Sequence, residues 1–344
     1  MARALSPVAR LYAWRAAARL TRSVPYRSRL PVICVGNFTA GGTGKTPLSI
    51  GLAHRLIASG ERPVFLTRGY GGRRAGPHWV DLERDSAAEV GDEPLLLARQ
   101  APTLVARDRR AGAIAIENGP HDATVIVMDD GLQNPAIAKD LSIAIVDGLR
   151  GVGNGEVIPA GPLRLPLDVQ LQLTDVILVN LPPLAGDGTA AETPATALRE
   201  RLRRDFPGPV IAARTEPVGD LAWLKEKPLL AFAGIANPDR FFATLEACGA
   251  TVAARVVYKD HHAFTDADAE RLLASAAALD ATIVTTEKDL VRLAHRGAAR
   301  HRLMQAARSL AIGLAFAPGE AERLDELLSA TMQTGGYRAR IGRP

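Results

Sequence analysis

Cysteines, aromatic residues and long apolar runs are all scarce in this sequence. Its two cysteines, Cys34 and Cys248, cannot build a disulfide framework and lack the close spacing of metal ligands, so we expect a reducing compartment. Aromatic residues make up only 5% of the 344 positions. No apolar run reaches the ~18 residues needed to cross a bilayer, and arginines interrupt the N-terminus where a signal peptide has its apolar core. We therefore expect neither a membrane span nor a cleaved leader.

Acidic residues are absent from the first 60 positions, which hold nine arginines and lysines. The whole chain has a net charge of +5, so a basic end precedes a mildly acidic body. This distribution favours an anionic partner, either a nucleic acid or a membrane surface. No aromatic–basic platform or DNA-reading motif follows, so nucleic acid is the weaker interpretation.

Ser6-Pro7 predicts the start of an N-terminal helix, because Ser caps helix N-termini and Pro suits the first turn. One face of this helix carries residues of apolar character at four-residue spacing: Val8, Tyr12, Ala16 and Leu20. An arginine-rich helix of this kind suits the surface of an anionic membrane. It equally suits packing on its own domain, and the residues alone leave both interpretations open.

Beyond residue 30, short β-branched runs alternate with helical patterns, as in βαβ units around parallel sheets. The predicted strands are 31–35, 63–67, 103–106, 123–128, 142–146, 176–180, 210–213, 229–233, 252–257, 282–285 and 311–316. The predicted helices are 46–59, 93–100, 111–117, 197–205, 238–247, 266–278 and 320–332. The stretch 148–166, rich in Gly and Pro, is predicted to be a functional loop.

A glycine-rich loop follows the first predicted strand. With the start of the next helix it comprises Thr39, Ala40, Gly41, Gly42, Thr43, Gly44, Lys45 and Thr46. Glycines let backbone N–H groups turn toward phosphate oxygens, and a helix N-terminus adds a positive dipole. We predict a nucleotide site in which Lys45 reaches the β- and γ-phosphates and Thr46 ligates Mg²⁺. The strict pattern has Gly in place of Thr39, and the neighbouring glycines compensate.

An apolar run from Val125 ends in two carboxylates, Asp129 and Asp130. Beside a phosphate loop, such a strand is typical of the acids that complete a magnesium shell, so we predict both as metal ligands. The pattern alone would be weak, because aspartates at strand ends often only cap turns.

Motifs along nearly the whole chain resemble one family, the tetraacyldisaccharide 4′-kinases of lipid A synthesis. They are Val35-Gly36-Asn37 through Lys45-Thr46-Pro47, Arg68-Gly69-Tyr70-Gly71, Gly91-Asp92-Glu93-Pro94, Asp129-Asp130-Gly131-Leu132-Gln133, Gly153-Asn154-Gly155, Pro159-Ala160-Gly161-Pro162-Leu163-Arg164, Ala233-Gly234-Ile235, Asp260-His261-His262-Ala263-Phe264 and Thr285-Thr286-Glu287-Lys288-Asp289. The chain departs from the family at Leu132, Asn134 and Leu165, where Phe, His and Glu are more usual.

The resemblance implies transfer of the γ-phosphoryl group of ATP, with Mg²⁺, to the 4′-hydroxyl of an acylated glucosamine disaccharide 1-phosphate. It also implies a membrane-contacting helix, which we expect within residues 1–29. A P-loop NTPase-like parallel-sheet domain is expected at 30–220, and a second, smaller α/β domain at 221–344. We expect the last helix to pack back on the first domain. The expected location is peripheral, on the cytoplasmic face of the bacterial inner membrane. We expect no nucleic acid and no obligate protein partner.

The same resemblance implies roles for individual residues. Asp92 is expected to accept the proton of the sugar hydroxyl with the help of His261, although its place before a helix also suits an ordinary N-cap. Lys45 is the third expected catalytic residue. On the substrate side we expect Arg68, Gln133 and Arg164. His262 is the alternative to His261, and the sequence gives no role for Lys288.

The alternative function is that of a membrane-recruited P-loop switch ATPase. Partition-type ATPases carry a lysine two residues before the second glycine of Gly-Gly-x-Gly-Lys-Thr, where this chain has Ala40. That substitution and the Asp260-His261-His262 motif both favour the kinase. A metal-delivery protein is disfavoured because the sequence has no cluster of Cys and His.

Overall fold

The computed structural model describes residues 2–182, 194–294 and 297–334. The strands are β1 (Val32–Asn37), β2 (Pro63–Thr67), β3 (His78–Trp79), β4 (Thr103–Val105), β5 (Val125–Asp129), β6 (Leu141–Asp147), β7 (Val176–Leu181), β8 (Val210–Pro217), β9 (Leu229–Ala233), β10 (Val252–Val257), β11 (Thr282–Thr286), β12 (Arg308–Leu310) and β13 (Ile312–Phe316). The helices are α1 (Ala2–Arg22), α2 (Lys45–Ala58), α3 (Ala87–Val90), α4 (Asp92–Ala98), α5 (Arg109–Glu117), α6 (Leu167–Gln172), α7 (Pro194–Asp205), α8 (Pro238–Ala247), α9 (Asp266–Ala278), α10 (Glu287–Arg292), α11 (Ala298–Ala306) and α12 (Glu320–Thr334).

Nine strands form a large sheet in the order β13-β8-β7-β6-β1-β5-β2-β4-β3. Neighbouring strands are parallel except at the two edges, where β13 and β3 run antiparallel to β8 and β4. β1 is buried along its whole length, which explains its nearly continuous apolar run. Because β1 and β5 are parallel neighbours, with Val35 opposite Asp129, the residues that follow them meet at one edge of the sheet. Ligands of open α/β sheets bind at that edge.

Four parallel strands form a smaller sheet in the order β10-β9-β11-β12. Its core includes Phe232, Phe264 and Leu272, which bury one face against α9 and α11. The chain then returns to the large sheet, where β13 pairs with β8 and Leu324 of α12 joins the core that contains Leu48 of α2. The two sheets are thus connected twice by the chain.

The N-terminal helix begins earlier than the sequence predicts. It starts at Ala2 and includes Pro7, so the predicted start at Ser6-Pro7 is wrong. Pro7 lacks one backbone donor, and the residues from Val8 to Arg22 continue the helix after it. Ala9 is buried, and Ala13 packs against the core cluster that includes Phe38.

The structure contains all the predicted strands and helices with small shifts of their ends, and adds several short elements. These additions are β3, β12, α3, α6, α10, α11 and a 3₁₀ helix at Ala222–Lys225. They are shorter than the window of about 11–18 residues that reveals a helical period or than the run of at least about four residues that reveals a strand, so their few repeats do not stand out from the neighbouring sequence. Within the described residues, no helix combines the length and the apolar character that a bilayer span requires.

Candidate phosphoryl-transfer site

The glycine-rich loop connects β1 to α2 at the carboxyl edge of the large sheet. Gly41 and Gly44 have φ values of 120° and 98°, which disfavour any residue with a side chain. Thr39 instead forms an antiparallel bridge with Leu163, and Ala40 N donates to Pro162 O at 2.8 Å. An extended residue needs no glycine, so the departure from the strict pattern at Thr39 is compatible with the loop.

Two asparagines, one in β1 and one in β7, donate hydrogen bonds to Thr43 of this loop. Asn37 Nδ2 donates to Thr43 Oγ1 at 3.1 Å, and Asn180 Nδ2 donates to Thr43 O at 3.2 Å. Asn180 Oδ1 in turn accepts hydrogen bonds from the backbone and the hydroxyl of Thr215, both at 3.1 Å. Both asparagines are buried, at 0% and 5% exposure. Asn180 was not expected from the sequence, where its only signal is a polar amide in an otherwise apolar strand.

Gln133, expected on the substrate side, lies against the base of the loop. Its Nε2 donates to Asn37 O and to Gln170 Oε1, both at 2.7 Å. Gln170 Nε2 donates to Phe38 O at 3.1 Å and to Leu165 O at 2.8 Å. The amide nitrogen of Gln133 is therefore engaged in holding the loop.

Asp130 lies among cations. Arg164 Nη1 and Nη2 donate to its two carboxylate oxygens at 2.9 and 3.2 Å, and Lys45 Nζ is 4.0 Å from Oδ1. Asp130 has a φ of 50°, an uncommon conformation outside glycine that is frequent at functional sites. Two cations share one carboxylate here, so the group has a net positive charge suited to an anionic ligand.

Asp129 has one buried oxygen with no hydrogen-bond partner among the described residues, Oδ2. Its Oδ1 accepts from Ser49 Oγ at 2.7 Å, and the buried Thr46 lies one helical turn before Ser49. Burial, with the nearby carboxylate of Glu93, raises the pKa of Asp129 to about 7. An unpartnered carboxylate oxygen near a hydroxyl is a donor set that Mg²⁺ prefers, so these residues fit the metal.

Arg109 is a second unforeseen member of this region. Its side chain is fully buried, Nη1 contacts Ala106 O, and Nε has no hydrogen-bond partner in the described part of the chain. Burial lowers the pKa of Arg109 to about 10, while Asp129 and Asp130 favour its charged form. Arg68 acts on the same guanidinium as a like charge, which places this expected substrate residue within electrostatic range.

Asp92 and His261 come together, although one belongs to the large-sheet layer and the other follows the small sheet. His261 Nδ1 lies 3.3 Å from Asp92 Oδ2. Asp92 is the first residue of α4 and not its N-cap, which is Gly91. Asp92 is 4% exposed, whereas the side chain of His261 is 46% exposed. Burial opposes the charged form, but Arg292, then Lys288 and His261, hold the pKa of Asp92 below its usual value.

His262 lies in a different environment from His261. It stacks on Tyr258 with 4.6 Å between ring centroids, and its Nε2 is 3.1 Å from Asp268 Oδ2. These contacts hold His262 within the small-sheet layer, so His261 is the histidine beside Asp92.

Glu93 and Lys288 connect the two halves of the site. Lys288 Nζ donates to Glu93 Oε1 at 2.9 Å. Glu93 also acts on Asp129, where its charge helps to raise the pKa. Lys288 in turn favours the ionised form of Asp92, so the ion pair acts electrostatically on both Asp92 and the predicted metal ligand Asp129, which gives Lys288 a place that the sequence did not provide.

Comparison with known proteins gives consistent matches. Residues 1–333 match the family model described as LpxK, tetraacyldisaccharide-1-P 4′-kinase. A tetraacyldisaccharide 4′-kinase of Paramagnetospirillum magneticum is 50% identical over 294 residues, which cover 85% of this chain and 86% of the relative. One from Parvibaculum lavamentivorans is 46% identical over 315 residues, covering 90% and 88%.

A solved structure is similar over almost the entire chain. It is LpxK from Aquifex aeolicus in complex with ATP, with a TM-score of 0.73 and 24% sequence identity. The match covers 96% of this chain and 99% of that one. At this identity the similarity shows the fold, and it confirms the expected α/β architecture with a large parallel sheet.

Proposed function

The chain belongs to the tetraacyldisaccharide-1-P 4′-kinase family, and from that premise we propose which residues carry out its reaction. Its activity is the ATP-dependent phosphorylation of the 4′-hydroxyl of tetraacyldisaccharide 1-phosphate. The observation that carries this function is the family match over residues 1–333. The switch-ATPase alternative is not favoured.

The nucleotide side of the site consists of the loop 39–44 with Lys45 and Thr46. We propose that backbone N–H groups from Gly41 to the start of α2 bind phosphate oxygens and that Lys45 neutralises charge on the transferred group, whereas Ala40 N already donates to Pro162 O. Mg²⁺, when bound, neutralises charge on the phosphates, and Thr46 and Asp129 are the residues that would hold it. The unpartnered Oδ2 of Asp129 supports this assignment. Asp130, also predicted as a ligand, is paired with Arg164, which favours an indirect role.

The acceptor side centres on Asp92. In the reaction, the 4′-oxygen forms a bond to the γ-phosphorus while the bond from that phosphorus to the bridging oxygen breaks and ADP leaves. The hydroxyl proton passes to the carboxylate of Asp92, which its cationic neighbours keep ionised near neutral pH. His261, 3.3 Å from Asp92, assists. Arg164 and Arg68 supply positive charge for anionic substrate groups, and Gln133 holds the loop beside them.

A membrane surface is the proposed partner, with attachment through α1. The exposed face of α1 includes four large apolar side chains: Val8, Leu11, Tyr12 and Trp14. Arg10, Arg15 and Arg19 are exposed on the same helix. Apolar and cationic side chains together suit the headgroup region of an anionic leaflet. The acyl chains of the acceptor would stay in that leaflet, which supports peripheral attachment at the cytoplasmic face of the inner membrane.

A label-transfer assay tests the proposed function. Purified protein, ATP labelled at the γ-phosphate and tetraacyldisaccharide 1-phosphate in detergent are expected to give a labelled lipid with phosphate at the 4′-position. Omitting the lipid is expected to leave the label in ATP. Release of labelled inorganic phosphate at the same rate with and without lipid, and no labelled lipid, would instead identify a switch ATPase.

A further inference from the structure

Arg292, the last residue of α10, contacts Asp92 of α4 and also residues that follow strands of the small sheet. Its side chain is 6% exposed. Nε donates to Asp92 Oδ2 at 3.1 Å, and Nη2 contacts the same oxygen. Nη1 donates to Gly234 O at 2.6 Å and to Asp289 Oδ1 at 2.7 Å. Every nitrogen of the guanidinium therefore has an acceptor, either on Asp92 or on Gly234 and Asp289.

Asp289, which holds Arg292, is itself fixed in place. It is completely buried, and its Oδ2 accepts hydrogen bonds from Gly234 N at 3.0 Å and from Thr286 Oγ1 at 2.7 Å. Asp289 and Arg292 are three residues apart on α10 and so share one face of the helix. A relay of fixed contacts thus runs from the small sheet through Asp289 and Arg292 to Asp92.

The two oxygens of Asp92 have different surroundings. Oδ2 is contacted by Arg292 twice and faces His261 Nδ1 at 3.3 Å. Oδ1 accepts one hydrogen bond, from Glu93 N at 3.1 Å, and no other donor in the described ranges reaches it. A carboxylate oxygen has two lone pairs, so Oδ1 is the oxygen with capacity to accept another proton.

We infer that Arg292, held by Asp289, is a positioning residue that fixes the rotation of the Asp92 carboxylate so that Oδ1 is presented to the reacting hydroxyl. The inference rests on the proposed role of Asp92. Arginine suits this task because its planar fork contacts Asp92, Gly234 and Asp289 at once. A lysine at the same position offers a point charge without that geometry.

The charges around Asp92 make the pKa of its carboxyl group a measurable readout of this role. Arg292, Lys288 and His261 favour its ionised form, burial opposes it, and Asp289 is the facing carboxylate. Replacing Arg292 with a neutral residue removes the first of the favourable charges. The pKa of Asp92 therefore rises, and the acidic limb of the rate profile moves to higher pH with it.

The test is the pH dependence of kcat in Arg292→Gln and Arg292→Lys, measured by label transfer with saturating ATP and lipid. For Arg292→Gln we expect the acidic limb to move up by about one pH unit and kcat at neutral pH to fall by ~10–10²-fold. The ATP KM is expected to change by less than about twofold. Arg292→Lys keeps the charge, so it restores the position of the limb but only part of kcat. Arg300→Gln breaks a similar ion pair with Asp266 outside the site and is the matched control.

Asp92→Asn separates this inference from the proposed function. If Asp92→Asn retains kcat and the acidic limb, Asp92 is not the proton acceptor and both ideas fail. If Asp92→Asn is inactive while Arg292→Gln keeps the wild-type limb and loses kcat equally at every pH, Arg292 only joins the layers, and the inference alone is overturned. Should Arg292→Gln fail to fold, Arg292→Lys decides: a kcat equal to wild type overturns the positioning role.

Discussion

Asp130 accepts hydrogen bonds from both terminal nitrogens of Arg164, at 2.9 and 3.2 Å, while its neighbour Asp129 keeps one buried oxygen unpartnered within the described residues. Adjacent carboxylates that look equivalent in the sequence thus have different surroundings. Asp129 is free to ligate a metal through Oδ2, and Asp130 organises the cations Arg164 and Lys45. This difference gives each aspartate its own expected phenotype.

Asp129→Asn is expected to shift the Mg²⁺ dependence of kinase activity to at least about tenfold higher concentration, because a neutral amide is a poorer ligand than a carboxylate. Asp130→Asn is expected to shift it less, since the oxygens of Asp130 are engaged by Arg164. Mg²⁺ titrations at fixed ATP measure both. Equal shifts in the two variants would show that both aspartates act on the metal directly.

Lys45→Ala is expected to lower kcat by at least ~10²-fold, comparable to removing one preorganised electrostatic partner of a transition state. The Lys45 side chain is 11% exposed, so bulk solvent replaces its charge poorly. Label transfer at saturating ATP measures the loss. Lys227→Ala, which breaks an exposed pair with Asp280, is the control. If Lys45→Ala kept half of the activity, the glycine-rich loop would not be the nucleotide site.

Asn180→Ala is expected to raise the ATP KM by about tenfold, with a smaller effect on kcat. The substitution removes the 3.2 Å hydrogen bond to Thr43 O and leaves the donors of Thr215 unpaired, so the loop loses its preset shape. Steady-state kinetics with varied ATP measure the change. Asn118→Ala, at the end of α5, removes a similar amide away from the loop. An unchanged ATP KM would mean that Thr43 holds its position without Asn180.

Substituting two exposed side chains of α1 by Asp, in Leu11→Asp/Trp14→Asp, is expected to move the protein from membrane to supernatant. The two side chains are 61% and 63% exposed, so the substitutions are expected to change the free energy of unfolding little. Each arginine near an anionic surface contributes about 1 kcal/mol, within a screening length of ~8 Å, so attachment is also expected to weaken with salt. Cosedimentation with anionic vesicles at two salt concentrations is the measurement.

The matched control for α1 is Leu279→Asp, which changes an apolar residue of 44% exposure beyond the end of α9. It is expected to pellet with vesicles like the wild type. Equal pelleting of the α1 double variant and the wild type at both salt concentrations would contradict membrane attachment through α1. The helix would then only pack against the rest of the protein.

Asp268 is expected to stabilise the fold at neutral pH and to lose that effect in acid. Burial opposes its charged form, but hydrogen bonds from Thr265 and then His262 lower the pKa of Asp268 to about 2. Since the folded pKa lies below the unfolded value, the stabilisation is present above about pH 4 and disappears as pH falls toward 2. Asp268→Asn is therefore expected to cost about 2 kcal/mol at neutral pH and almost nothing near pH 2. Urea unfolding at both pH values measures this, with the exposed Glu270→Gln as control.

The local sequence determined much of this protein. Alternating β-branched and helical patterns predicted every long strand and helix, because each such element repeats its period several times. Gly41, Gly44, Lys45 and the apolar strand ending at Asp129 predicted a phosphate loop with its acid, because that chemistry depends on neighbours in the chain and on parallel strands ending at one edge. The ordered motifs predicted the family, which the comparisons confirmed.

Tertiary structure decided the contacts between residues distant in the chain. Asp92 and Arg292 are 200 positions apart, and the helix that carries Arg292 has six residues, too few to show a period. Only folding brings them together, where α4 beside the large sheet meets α10, which follows β11 of the small sheet. The same holds for Asn180 beneath Thr43, and for the difference between Asp129 and Asp130, which depends on Arg164 arriving from the loop after β6. Charge and geometry at such junctions depend on packing across the molecule, which no local pattern encodes.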